Sequence, residues 1–196
     1  KNTFKIICRF LFLALISLNV FTINAFAEEK PPNLNAESAL LMDAKTGQVL
    51  YSKEANKKQF PASTTKVLTA LVVLDNAKLT DVVTVGKNPP FADGSSIGLK
   101  EGEKFTVETL LTGLLLESGN DCAEALAEYV GGTTSNFVKM MNEKAKALGC
   151  NDSNFENPSG LPNDKHVSTA YDLALILKEA IKNPDYINIS RKISVE

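Results

Sequence analysis

The order of apolar and polar residues along the 196-residue chain predicts two strands near its beginning. Residues 38–42 and 48–52 are short runs of strand-forming side chains on either side of the segment DAKTG at 43–47. This combination is typical of a β-hairpin, and Gly47 stands where the turn requires a positive φ.

A longer apolar pattern predicts a central helix over residues 64–77. Its apolar residues recur at intervals of three and four, which is the spacing of one helix face, and a further residue widens that face. They are Val67, Leu68, Leu71, Val72, Val73 and Leu74. We expect this helix to be buried on most of its surface.

The rest of the chain is first rich in turns and then helical. Glycine and proline are frequent over residues 79–103, which we predict to be a loop with small strands. Helical spacing returns in four segments, at 106–117, 121–129, 135–148 and 169–182.

The last of these segments carries signals for its start and its end. Thr169 followed by Asp172 fits the capping box, in which each side chain accepts a hydrogen bond from the other residue's backbone. Pro184 is expected to end the helix, because proline has no N–H to donate.

The chain thus begins with two strands and continues as a long helical block. Two strands make a poor sheet by themselves, so we expect their sheet partners to lie beyond Glu196. A first residue other than methionine also suggests a fragment.

The first 27 residues have the pattern of an export signal. Lys1, Lys5 and Arg9 form a positive start, an apolar run follows at 10–21, and Ala25-Phe26-Ala27 offers the small residues that a signal peptidase recognises. We expect 1–27 to be a cleaved signal peptide and 28–35 to be a linker. The alternative is an uncleaved membrane anchor, for which the apolar run is short.

Composition and charge narrow the classes of function. With 44% hydrophobic and 22% charged residues the chain is globular, and its net charge of −2, which loss of the leader makes more negative, gives no reason to bind nucleic acid. Cys122 and Cys150 lie in helical segments, where buried thiols are more common than disulfides. No metal-ligand spacing occurs, and no metal or cofactor is expected.

Ser63 and Lys66 form the leading candidate for chemistry. In a helix that starts near Ser63, Lys66 lies one turn further on the same face, so its amine can reach the serine hydroxyl. Desolvation by apolar neighbours would favour the neutral amine, which can act as a base. The helix N-terminus adds backbone donors for a developing oxyanion. Alone, S-x-x-K is weak evidence, because a helix cap with a solvated lysine is the more common explanation of an isolated S-x-x-K.

A second motif, Ser118-Gly119-Asn120, lies between two predicted helices. A short loop there can present a hydroxyl and an amide to a cleft. The same residue types also suit the end of one helix and the cap of the next.

Together the two motifs resemble those of the serine D-alanyl-D-alanine carboxypeptidases, the low-molecular-mass penicillin-binding proteins, which carry S-x-x-K, S-x-N and K-T-G in that order. The stretches LLMDAKTGQVLYSKEAN, FPASTTKVLTAL, LLLESGNDCAEALAE and FENPSGLPNDKHVSTAYDLA resemble the same family. The resemblance implies an α/β (α+β) penicillin-recognising fold, like that of DD-peptidases and β-lactamases, with an antiparallel sheet, flanking helices and an all-helical subdomain. Residues 36–196 would be the N-terminal part of this catalytic domain, without its C-terminal strands.

The resemblance also implies roles for four residues. Ser63 would attack the carbonyl of a peptide ending in D-Ala-D-Ala, and Lys66 would take its proton. Ser118 would relay a proton to the departing D-alanine, and Asn120 would bind a substrate amide and help to position Lys66. β-Lactams would acylate the same serine at the outer face of the cell membrane, and membrane association through a region beyond Glu196 is left open.

One departure from the family pattern concerns K-T-G. The string Lys45-Thr46-Gly47 stands before the serine, in the predicted hairpin turn, and none occurs in the 76 residues after Asn120. We therefore predict that Lys45 is a solvated turn lysine. The family's K-T-G strand would supply a second oxyanion donor, whose loss costs about 3 kcal/mol in other enzymes, so the chain alone is expected to be inactive.

One further residue and two alternative functions complete the predictions. His166, the single histidine, is expected to be solvated and to shape at most the edge of the site. A class A type β-lactamase shares S-x-x-K but needs a glutamate, and no E-x-x-L-N follows Ser118. The third hypothesis is a truncated, non-catalytic protein that binds wall peptides.

Overall fold

The structure, a computed structural model, describes residues 33–192. The predicted signal peptide at 1–27 lies outside these residues, as does most of the predicted linker. Among the described residues are two pairs of strands, six α-helices and two short 3-10 turns. The strands are β1 (Ala39–Met42), β2 (Val49–Lys53), β3 (Val82–Thr84) and β4 (Lys104–Thr106). The helices are α1 (Thr65–Asn76), α2 (Val107–Leu116), α3 (Asn120–Gly131), α4 (Thr134–Ala147), α5 (Ala170–Ala180) and α6 (Pro184–Ser190).

β1 and β2 form the predicted antiparallel hairpin, in which Ala39 pairs with Lys53 and Leu41 with Tyr51. The Asp43 carboxylate closes its turn by accepting hydrogen bonds from the backbone N–H and the hydroxyl of Thr46, both at 2.6 Å. Gly47 has a φ of 80°, as the sequence predicts.

The predicted central helix is α1, which contacts each of the other five helices that the structure describes. Leu68, Ala70 and Val73 have no exposed surface. Fully burying one such aliphatic side chain contributes about 1.5–3 kcal/mol. The 3-10 turn Ala62–Thr64 leads directly into α1, so whatever this turn carries is attached to the core of the molecule.

The capping box predicted at α5 is only half formed. The Thr169 hydroxyl accepts from the Asp172 N–H at 3.0 Å. The Asp172 carboxylate does not return this bond, because it accepts instead from the backbone N–H of Asp152 and the hydroxyl of Ser153. Hydrogen bonds to the loop before α5 thus replace the second hydrogen bond of the local motif.

The expectation that Pro184 ends the preceding helix is wrong. α5 ends at Ala180, and Pro184 is the first residue of α6, where its missing N–H has no partner to lose. The Asn183 side chain caps this helix by accepting from the N–H groups of Asp185 and Tyr186.

Both predicted thiols are buried and unpaired, so the expectation of free cysteines is confirmed for Cys122 and Cys150. No helix between residues 33 and 192 is long and apolar enough to cross a bilayer.

Candidate active site

Ser63 lies on the turn that precedes α1. The turn Ala62–Thr64 begins with a strained backbone conformation, because Ala62 has a φ of 47°. The Thr64 N–H closes the turn by donating to the Pro61 carbonyl at 3.3 Å. Pro61 is buried, whereas Ser63 is exposed. The turn therefore holds an accessible hydroxyl at the N-terminal end of a buried helix.

Lys66 is buried one turn after Ser63, with 3% of its surface exposed. Its Nζ donates to the Ser159 carbonyl at 2.8 Å and lies 3.5 Å from the Ser63 hydroxyl oxygen. Burial lowers the pKa of Lys66 because the charged form loses its water, and the nearby Cys122 thiol acts weakly in the opposite direction. A carbonyl can only accept, so it fixes one N–H and leaves the lone pair of a neutral amine free to turn toward Ser63.

The loop that offers the Ser159 carbonyl is organised by one side chain. The Asn157 amide oxygen accepts from the backbone N–H groups of Ser159, Gly160 and Leu161 at 2.7–3.2 Å. The Asn157 amide nitrogen donates to the Leu161 carbonyl at 2.9 Å. We call residues 157–161 the lysine-holding loop, because this network fixes the acceptor of Lys66.

Gly160 brings the lysine-holding loop directly against the serine turn. Its φ is 90°, and a Cβ at this position would lie 1.9 Å from the Ala62 carbonyl oxygen and 3.1 Å from the Ser63 nitrogen. Only glycine allows this approach. The two segments that present Ser63 and hold Lys66 are therefore in backbone contact.

Ser118 shares a cavity of about 340 Å³ with Ser63 and Lys66. It lies between α2 and α3 with a φ of 56°, an uncommon value for a residue with a side chain. The structure thus brings together three of the four residues that the sequence predicts.

Asn120 does not line this cavity; it lines a second one, together with Asp93 and Ser159. Its side-chain nitrogen donates to the Asp93 carbonyl, and its backbone N–H donates to the Ser95 carbonyl at 2.7 Å. Asn120 is expected to help to position Lys66, but within the described residues the Lys66 amine donates to Ser159 and Ser63, and no hydrogen bond joins it to Asn120. The lysine-holding loop takes that positioning role.

Asp121 supports the same region and was not expected from the sequence. It is 1% exposed, and its carboxylate accepts from the N–H groups of Ile97, Gly98 and Leu99 and from the Ser96 hydroxyl, at 2.7–3.3 Å. Burial raises the pKa of Asp121, but these hydrogen bonds outweigh it and leave the pKa lowered. An acidic residue directly after S-G-N was the available signal.

The early K-T-G string has no part in this site. Lys45 is exposed in the hairpin turn, as predicted, and Gly47 faces the Lys178 amine of α5. Over residues 33–192 no group of three or more histidine, cysteine or acidic side chains is arranged to hold a metal ion.

The expectation that His166 is solvated is wrong. The residue is 1% exposed, and its ring nitrogen Nε2 lies 2.9 Å from the hydroxyl oxygen of Thr65, which belongs to the S-x-x-K motif. The two residues are 101 positions apart in the sequence, which explains why the local sequence gave no signal.

Comparison with known proteins adds independent information. The family model described as D-alanyl-D-alanine carboxypeptidase, peptidase S11, matches residues 24–195. D-alanyl-D-alanine carboxypeptidase DacF of Bacillus subtilis strain 168 is 39% identical over 177 residues, which are 85% of this chain and 46% of that protein. The chain spans about half the length of the curated relatives it matches.

Solved structures give the same picture. The D-alanyl-D-alanine carboxypeptidase of Mycobacterium tuberculosis H37Rv matches with a TM-score of 0.82 at 38% identity, over 86% of this chain and 65% of that one. A mutant of the Streptomyces K15 DD-transpeptidase matches with a TM-score of 0.78 at 34% identity, over 81% of this chain and 66% of that one.

Proposed function

Because the chain belongs to the peptidase S11 family of D-alanyl-D-alanine carboxypeptidases, we propose that the protein is a serine DD-carboxypeptidase. It removes the terminal D-alanine from peptidoglycan stem peptides that end in D-Ala-D-Ala. The solved neighbours also confirm the penicillin-binding DD-peptidase fold expected from the sequence. The observation that carries the proposal is the meeting of Ser63, a buried Lys66 and Ser118 at one cavity.

In the acylation step the neutral Lys66 amine takes the proton of the Ser63 hydroxyl, and the oxygen attacks the carbonyl carbon of the penultimate D-alanine. Ser118 then relays a proton to the nitrogen of the leaving D-alanine as the peptide bond breaks. Water subsequently attacks the ester, which releases the shortened peptide and restores Ser63. A β-lactam forms the corresponding ester through opening of its ring.

The described residues supply one of the two backbone donors that would stabilise the oxyanion. The Ser63 N–H at the start of α1 supplies one donor, and we propose that it stabilises the negative oxygen of the tetrahedral intermediate. The family's second donor comes with a K-T-G strand, and in this sequence that string occurs only in the hairpin turn. We therefore expect slow acylation by these residues alone.

Labelling with fluorescent penicillin tests the nucleophile. We expect the full-length protein, with the residues that follow Glu196, to be labelled covalently and its Ser63→Ala variant not to be labelled. Ser135→Ala, on the exposed surface of α4, is the matched control and should behave as wild type. Labelling that persists in Ser63→Ala would rule out this serine.

Product analysis separates the reaction classes. A carboxypeptidase releases free D-alanine from a peptide ending in D-Ala-D-Ala. Rapid turnover of a chromogenic β-lactam without a lasting covalent adduct would instead favour the β-lactamase. Binding of the peptide with neither D-alanine release nor labelling would favour a non-catalytic wall-peptide protein.

The place of action is part of the proposal. We propose that residues 1–27 direct export and are removed, so that the enzyme meets its substrate at the outer face of the cell membrane. N-terminal sequencing of the mature protein should begin at Glu28. A protein that retains residues 1–27 would instead support the membrane-anchor alternative.

A further inference from the structure

His166 is a buried bracket between two segments that meet at Lys66. Its Nε2 lies 2.9 Å from the Thr65 hydroxyl oxygen, and its Nδ1 lies 3.2 Å from the Glu156 backbone nitrogen. The Phe155 ring packs against the imidazole edge to face, with ring centroids 5.5 Å apart. The imidazole is therefore held on three sides.

The hydrogen bonds fix the tautomer of the ring. A backbone N–H can only donate, so the Nδ1 atom that faces Glu156 must carry no proton. The neutral ring then has its proton on Nε2, from where it donates to the Thr65 hydroxyl. Burial lowers the pKa of His166, while the Glu156 carboxylate acts in the opposite direction, so the neutral form is favoured.

The backbone around His166 is fastened to the same two segments. Val167 pairs with Asn154, which precedes Glu156, and Ser168 pairs with Gln59, which precedes the serine turn. The ring thus does not hang from a free loop. Its position is set by backbone pairing, and it can transmit that position to its partners.

Both partners of the ring lead directly to Lys66. Thr65 is the residue before Lys66 and the first residue of α1, with no exposed surface. Glu156 precedes the lysine-holding loop, whose Ser159 carbonyl accepts from the lysine amine at 2.8 Å. One imidazole therefore links the helix that carries the amine to the loop that orients it.

We propose that His166 is a positioning residue for Lys66: through Thr65 and the Glu156 N–H it holds the amine and the Ser159 carbonyl in the relation that points the amine at Ser63. It does not touch the substrate. This inference rests on the proposed function, because it assigns His166 to the same acylation step.

Three substitutions separate the two hydrogen bonds of the His166 ring. His166→Gln keeps an N–H donor near the Nε2 position, and His166→Asn keeps an acceptor near the Nδ1 position but loses the link to Thr65. Thr65→Val removes the hydroxyl with almost unchanged volume. Thr112→Val is the matched control, because Thr112 is also buried but bonds only to the Glu108 carbonyl of its own helix.

Acylation by fluorescent penicillin, measured against pH, is the first readout. The rate of the full-length wild-type protein should rise with pH as Lys66 loses its proton. Within residues 33–192, Cys122 is the titratable neighbour that shifts the pKa of Lys66, after burial itself. We expect His166→Asn and Thr65→Val to be slowed about 10- to 100-fold, as a displacement of about 1 Å can do. The pH at which acylation speeds up, which we call the pH limb, should also be higher in these two variants. Water then reaches the Lys66 amine and favours its charged form. His166→Gln should recover part of the rate.

NMR provides a readout that needs no activity. Since the sequence contains one histidine, an untagged chain with labelled histidine gives a single set of ring signals. We expect the Nε2–H tautomer, and a Lys66 Cε signal that titrates at lower pH in wild type than in His166→Asn. If His166→Asn fails to fold, Thr65→Val serves for the same comparison.

The outcomes are separable. The positioning role would be overturned if the ring carried its proton on Nδ1. It would also be overturned if His166→Asn and Thr65→Val left the Lys66 titration and the pH limb unchanged, even if these variants are less stable. A Thr112→Val variant that shifts the limb equally would do the same. A full-length wild-type protein that never reacts with penicillin would overturn the proposed function, and the Lys66 titration would still decide the role of His166.

Discussion

At the scale of single residues, the site depends on how closely backbone segments approach each other. Ser63 and Lys66 are adjacent because of helical spacing, but the state of Lys66 depends on a carbonyl 93 residues away. That carbonyl reaches the amine only because Gly160 lets its loop touch the turn at Ala62. A residue without a side chain is thus as important for the base as the base's own neighbours.

Gly160→Ala is therefore expected to damage both stability and acylation. The new methyl group would overlap the Ala62 carbonyl oxygen, and the φ of 90° is itself unfavourable for alanine. We expect a loss of about 3 kcal/mol or more in the free energy of unfolding, measured with denaturant, and slower labelling by penicillin.

Gly102→Ala is the control for backbone strain alone. Gly102 has a φ of 83°, but a Cβ there meets no atom within 4 Å. Its cost should be about 1–2 kcal/mol, with labelling unchanged. Equal losses in the two variants would mean that the contact between the loop and the serine turn has no energetic weight.

At the scale of elements, α3 carries a charge that organises a neighbouring loop. Asp121, in the first turn of this helix, accepts three backbone N–H groups from residues 97–99. The same loop contacts Asn120 through the carbonyls of Asp93 and Ser95. The first turn of α3 and this loop therefore form one hydrogen-bonded wall, which contributes Asn120 and Asp93 to the second cavity.

Asp121→Asn should loosen this wall. The amide has one acceptor oxygen and adds donors among groups that can only donate, so we expect a loss of about 1–3 kcal/mol. Amide hydrogen exchange at Ile97, Gly98 and Leu99 should speed up, and by a larger factor than exchange in α1. Unchanged protection of these three amides would contradict the assignment.

The stability difference between wild type and Asp121→Asn should also depend on pH, in a direction that the pKa of Asp121 determines. The folded pKa of Asp121 is lowered, so its stabilisation is complete above the ordinary aspartate range and is lost as the pH falls through the lowered value. The Asn variant lacks this contribution. The stability difference between the two proteins should therefore shrink toward acid pH.

Elements with a repeated local signal were predictable, and those set by distant partners were not. Helical spacing located α1 to within a residue, and Gly47 marked the hairpin turn. β4 was missed because its three residues gain their strand form from pairing with β3. α6 was missed because Pro184 can either follow a helix or begin one.

The candidate site divides in the same way. Ser63, Lys66 and Ser118 could be predicted because short motifs carry them. His166, Asn157 and Gly160 could not, since their contacts depend on a loop folding back over α1. Asn120 was expected to help to position Lys66, a role that the contacts of the described residues give to the lysine-holding loop.

At the scale of the whole molecule, two buried thiols report whether the helices open together. Cys122 lies in α3 against the central helix, and Cys150 follows α4 and contacts the Asp172 carbonyl of α5 at 3.4 Å. Burial is the main cause that raises the pKa of both thiols, that of Cys150 to about 12. Neither should react with iodoacetamide at neutral pH unless the structure opens.

We expect both cysteines to be alkylated slowly and at one common rate, as follows if residues 35–192 unfold as a single cooperative unit. Mass spectrometry of peptides after timed alkylation measures the two rates, and denatured protein supplies the rate of the free thiols. The Asp121→Asn variant should raise both rates by the same factor, because it lowers the stability of that unit. Faster labelling of Cys150 alone would show that the segment from α4 to α5 opens separately. In that case the lysine-holding loop, which lies between those helices, would be the least stable part of the site.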